Sequence, residues 1–136
     1  MLKNVTTNKY YYPFLELYRK IEEDAIILPF KSGTNMNFLD IYLSPVIPIH
    51  FIVGQENEYG RYIIRKGYDK ILTLVNFYEN KFPLENMFFN KDLNGYFFKD
   101  LPGMLKSIFE DRQIELRTLF CAGDNDLFEQ IMVKII

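Results

Sequence analysis

IHFIVGQENEYGRYIIRKG, residues 49–67, decides how the chain is read, because two β-branched runs flank a polar loop bracketed by Gly54 and Gly60. Ile49–Val53 and Arg61–Arg65 have strand composition, and a Gly-bounded polar segment between such runs predicts a β-hairpin. Its seven-residue loop, Gly54–Gly60, is longer than a tight turn needs. Gln55, Glu56, Glu58 and Tyr59 crowd that loop, and the chain's one histidine, His50, lies in the first run.

Strand patterns continue upstream of the hairpin. Ala25–Leu28 is a short apolar run closed by Pro29, and Phe38–Leu43 alternates, with Leu39, Ile41 and Leu43 opposite Asp40. Further upstream, Tyr11, Phe14, Leu15, Tyr18 and Ile21 form a helical stripe. Pro13 is tolerated only in a first turn, so the helix starts near residue 12.

Downstream of Gly67 the period changes. Asp69 is placed to cap a helix carrying Ile71, Leu72, Leu74, Val75 and Tyr78, which ends near Asn80. Phe88-Phe89 and Tyr96-Phe97-Phe98 flank the turn formers of 90–95, which predicts a second small hairpin. Asp100 then caps a helix with the stripe Leu101, Met104, Leu105, Ile108 and Phe109. Residues 113–120 fit a strand or a helix equally. Asp126 and Glu129 have capping-box spacing ahead of Leu127, Phe128, Ile131, Met132 and Ile135, so the C-terminal segment reads as helical.

Because strands cluster instead of alternating with helices, the expected class is α+β. The chain, 1–136, reads as a single domain with an antiparallel β-meander of three to five strands packed against three to five helices. A parallel α/β sheet is the alternative.

Composition narrows the function. Of 136 residues, 49% are hydrophobic and 25% charged, the profile of a soluble globular chain. The formal charge of −2 gives no general attraction to nucleic acid. No run approaches the ~18 apolar residues of a membrane span, and no secretory signal is evident, so a cytoplasmic protein is expected. One cysteine, Cys121, sits among apolar neighbours and excludes an internal disulfide.

Catalytic signals are sparse. Metal-ligand spacings, phosphate-binding loops and a base beside a nucleophile are all missing from the pattern, so no metal and no cofactor is expected. Ten tyrosines and thirteen phenylalanines remain to be explained. Codon usage in an AT-rich genome yields such a composition, and so does a surface built for protein contact, where stiff rings give area at low entropic cost.

The leading expectation is a non-enzymatic protein-binding module. Its narrower form is a small acidic inhibitor or immunity-type protein that neutralises a basic toxin or nuclease through Gln55, Glu56, Glu58, Tyr59, Asp124 and Asp126. Two others stand beside it. One is a small enzyme or ligand-binding domain with a Tyr-lined pocket using His50 with Glu56 or Glu58. The other is an oligomeric scaffold, and the expected state is a monomer or a homodimer.

Overall fold

The structure is a computed structural model, and it describes residues 5–28, 34–44, 52–56 and 60–121. In chain order these form β1 (Val5–Pro13), α1 (Phe14–Glu22), β2 (Ile26–Ile27), α2 (Met36–Tyr42), β3 (Ile52–Glu56), β4 (Tyr62–Lys66), α3 (Tyr68–Tyr78), α4 (Gly103–Asp111) and β5 (Gln113–Cys121). Two short 3-10 turns, Lys91–Leu93 and Phe98–Asp100, lie between α3 and α4.

The class is α+β as expected, but the sheet is not an antiparallel meander. Its five strands run in the order β1-β5-β3-β4-β2. β1 pairs antiparallel with β5 from Val5↔Cys121 to Pro13↔Gln113, and β5 pairs parallel with β3 from Ile52↔Leu116 to Gln55↔Leu119. β3 and β4 form the expected antiparallel hairpin, and β2 adds to β4 in parallel. The late strand β5 enters between the first strand and the hairpin, so strands close in sequence are mostly not neighbours in space.

Several local expectations change with this topology. Residues 113–120, open between helix and strand, belong to β5. Tyr10 to Pro13 end a strand instead of opening a helix, because three consecutive tyrosines favour extended backbone and Pro13 closes the strand with ψ 150. α1 therefore starts at Phe14, and Tyr11 stands exposed on the sheet. Phe38–Leu43, read as a strand, is the helix α2. The Asn35 side chain caps it by accepting the Phe38 N–H at 2.9 Å, and Phe38, Leu39 and Tyr42 fall one turn apart on its buried side. The hairpin expected around 90–95 is an irregular loop.

Two helices sit close to where the periodicity puts them. α3 follows Gly67, whose left-handed backbone (φ 85) takes the N-cap position expected for Asp69; Asp69 lies in the first turn. α4 starts at Gly103 behind Pro102, three residues after the expected Asp100 cap. From its expected stripe, Leu101 and Phe109 are buried while Met104 is exposed. The C-terminal helix lies outside the described residues.

All four helices contribute to one core with one face of the sheet. Phe14 and Leu17 of α1, Leu39 of α2, Leu74 of α3 and Phe109 of α4 pack with Ile64, Ile114 and Leu116. Phe109 is the centre of an aromatic cluster: Phe14, Tyr42 and Phe98 stand with ring centroids 4.9, 5.0 and 5.2 Å from it. Edge-to-face and tilted rings at such separations add to the burial term.

Gly54 belongs inside β3, not at the mouth of a loop. It is buried, on the helix side of the sheet, and a Cβ there would meet Leu116 Cδ1 at 3.3 Å and Ile64 Cδ1 at 3.7 Å. Leu116 and Ile64 fill the space that a side chain would occupy. Val at this position adds three carbons where no room exists. Gly54→Val is therefore expected to lower stability by roughly 1–3 kcal/mol, the usual range for overpacking, as read from the urea midpoint at constant m-value.

Candidate functional site

The loop singled out from the sequence does not gather a site among the described residues. Gln55 accepts from Arg65 of β4 through Nε and Nη2 at 2.9 and 2.7 Å, on the face turned away from the helices. Glu56, the next residue of β3, is opposite Tyr62 and therefore faces the helical side. The two side chains lie on opposite faces of the sheet. His50, Glu58, Tyr59, Asp124 and Asp126 lie outside the described residues.

A Tyr-lined surface does exist near Glu56. Tyr10 and Tyr12 stack at 6.0 Å, and Tyr62 stands 6.1 Å from Tyr10. Burial, then the hydrogen bond and charge of Tyr10, push the Tyr62 phenol well above its ordinary range. It therefore stays protonated and cannot act as a base near neutral pH. Among the described residues no three histidine, cysteine or carboxylate side chains cluster so as to hold a metal ion.

A different surface stands out, and it starts from a buried charge. Asp40 of α2 is 4% exposed. Its Oδ2 accepts the backbone N–H of Phe88 at 2.7 Å and of Phe89 at 2.9 Å. Its Oδ1 accepts the Asn90 backbone N–H at 3.2 Å and the Asn90 side-chain amide at 2.8 Å. The same amide nitrogen reaches the Asp40 carbonyl at 3.0 Å and the Ser44 hydroxyl at 3.2 Å. Burial by itself would raise the Asp40 pKa. The donors from Phe89, Asn90 and Phe88 outweigh it and hold the carboxyl below its ordinary 3.8.

The loop so anchored also closes on itself. Leu84 donates to the Tyr96 carbonyl at 2.8 Å, and Gly95 donates to the Leu84 carbonyl at 2.7 Å. The Asn94 side chain accepts the Met87 N–H at 2.9 Å. Gly95 carries φ 90 at this closure, where a side chain would be strained. Leu84 and Met87 are buried beneath the loop. The result is a compact loop with its ends together.

What the loop presents outward is apolar. Phe88 is 70% exposed and Phe89 56% exposed, their rings edge-to-face at 5.0 Å. Lys91 Nζ lies 5.5 Å from the Phe88 ring centroid. Burying a Phe side chain is worth ~1.5–3 kcal/mol, and two rings held in water by a pinned backbone leave that stabilisation unrealised. Four N–H contacts to the Asp40 carboxylate fix the backbone that carries them.

Among the described residues the two most exposed neighbouring aromatics are phenylalanines. Among the described tyrosines only Tyr11 and Tyr96 are exposed. Tyr42 donates to the Phe109 carbonyl, Tyr18 to Glu79 at 2.8 Å and Tyr11 to Glu115 at 3.0 Å. These three phenols are spent on internal acceptors. Reading Phe88-Phe89 as half of a hairpin hid the platform. The signal that was present is the frame of turn formers, Asn86, Asn90, Asp92, Asn94 and Gly95, around two adjacent phenylalanines.

Comparison with protein-family models, with curated proteins and with solved structures finds no match for this chain.

Asp40→Asn removes the charge and turns an amide donor toward backbone donors. It is expected to lower stability at pH 7 by roughly 2–4 kcal/mol, because hydrogen bonds to a buried charge are lost and N–H groups are orphaned. The pH dependence has a definite sign. The folded pKa is lowered, so the Asp40 contribution is fully present above the ordinary 3.8 and disappears as pH falls through the folded value. The gap between wild type and Asp40→Asn in urea titrations should therefore narrow below that pH.

Proposed function

We propose that this protein is a non-catalytic protein-binding module that docks through the Phe88–Phe89 loop. The observation that carries the reading is an apolar ring pair, 70% and 56% exposed, on a loop fixed by a buried carboxylate. Flexible loops expose apolar residues at little consequence, since they can fold them away. A loop held by Asp40, Asn90 and Asn94 is pre-organised, which removes much of the ordering entropy from a binding event. Large aromatic side chains in that setting are the usual anchors of protein interfaces.

The edge of the platform is polar and of both signs. Glu85, Lys91 and Asp92 are exposed there, so the apolar centre has a hydrated rim. Neutralisation of a basic toxin or nuclease is a narrower form of the same proposal. It would draw on the exposed acids Glu22, Glu23 and Asp24 at the C-terminal end of α1 to steer a basic partner. The ligand-binding alternative, by contrast, would use the Tyr10–Tyr12–Tyr62 surface, whose raised Tyr62 phenol offers a hydrogen-bond donor and no base.

The test replaces the two rings and watches stability and binding separately. Phe88→Ser/Phe89→Ser should leave the unfolding free energy from urea titration within about 0.5 kcal/mol of wild type, as surface substitutions do. A photo-crosslinking phenylalanine analogue at position 89 should trap a protein in cells that produce the chain, and the same analogue at Tyr11, on the opposite sheet face, should not. Equal trapping from both positions, or from neither, would remove the proposal.

A further inference from the structure

We infer that the partner on the Phe88–Phe89 platform is a second copy of this chain, in a two-fold contact. The inference rests on the docking reading above and specifies its occupant. Charge is the first argument. The exposed ionic residues from position 85 to position 100 are Glu85, Asp92 and Asp100 against Lys91 and Lys99, so the rim carries both signs. A strongly charged partner is steered by a rim of one sign. A rim of mixed sign around an apolar centre complements itself, because a two-fold axis sets each patch against an identical one and lets Lys91 meet an acid of the other copy. The formal net charge of −2 sets up little repulsion between two chains.

Area is the second argument. With Phe side chains carrying ~150–250 Å² each, the exposed fractions of the two rings offer on the order of 250 Å² per protomer. That is about a third of the ~800 Å² that each partner contributes to a standard interface. It suits the apolar centre of a small contact, with Glu85, Asn86, Lys91 and Asp92 as its rim. Under a two-fold axis the edge-to-face pair of one copy meets the pair of the other, so each exposed ring gains aromatic neighbours without any second surface being required. The affinity expected of so small an apolar centre is in the micromolar range.

Sedimentation velocity of the purified chain, from low micromolar to near-millimolar, tests the inference. The wild type should show a reversible monomer–dimer equilibrium, and Phe88→Ser/Phe89→Ser should weaken it about 100-fold or more, as loss of two anchor residues does. The photo-crosslinker at position 89 should give a covalent dimer in the purified sample. A wild type that stays monomeric throughout, or a dimer that survives the double substitution, overturns the inference. Should the purified chain stay monomeric while the position-89 crosslinker traps a different protein in cells, the second copy is excluded and the docking reading stands. No adduct in either setting sinks both.

Discussion

The candidate surface hangs on the carboxylate of Asp40. A charge removed from water is tolerable only when its lone pairs are filled, and here four N–H contacts from three consecutive residues fill them. The arrangement works in both directions. The carboxylate is stable because the loop is folded around it, and the loop keeps its course because an unfilled buried carboxylate would be worse. Two bulky rings are thereby held largely in water, in contact with each other and with Lys91.

The helix that supplies Asp40 is itself pinned at its far end. Arg112, between α4 and β5, donates through Nη1 to the carbonyls of Ile41, Tyr42 and Ser44, and its guanidinium lies over the Tyr42 ring. Those carbonyls lie at and just beyond the C-terminus of α2, where a cation also complements the helix dipole. α2 has seven residues, too few to be stable alone. Its position comes from Asn35 at one end, Arg112 at the other, and the buried faces of Leu39 and Tyr42. A short helix fixed at both ends is a firm base for the loop that Asp40 carries.

How much of this was legible depends on the range of the interactions. α3 and the β3–β4 hairpin were readable because their signals are local: Ile71, Leu74 and Val75 repeat at the helical period, and the β-branched runs flank a polar loop. The place of β5 was not, because a strand's neighbours are set by pairing across the whole chain. Thr118 faces Asn8 on one side and Gly54 on the other, separations no window can see. α2 was misread because its apolar residues are too few to separate a period of two from 3.6. Asp40 then looked like the solvent side of a strand. Without knowing that Asp40 is buried, nothing in Phe88-Phe89 distinguishes a platform from a core segment.

The two layers divide the work. Stability resides in the aromatic cluster around Phe109 and in the sheet residues beneath it, where Ile64 and Leu116 close over the bare backbone of Gly54. The platform contributes little to that core beyond Leu84 and Met87, buried under the loop. Its outer residues are therefore freer to vary than Asp40 and Asn94, whose side chains accept backbone N–H groups of the loop. The displayed rings add little to the core, while the backbone beneath them is held by buried polar groups. That asymmetry between framing residues and displayed residues is the physical basis of the docking proposal.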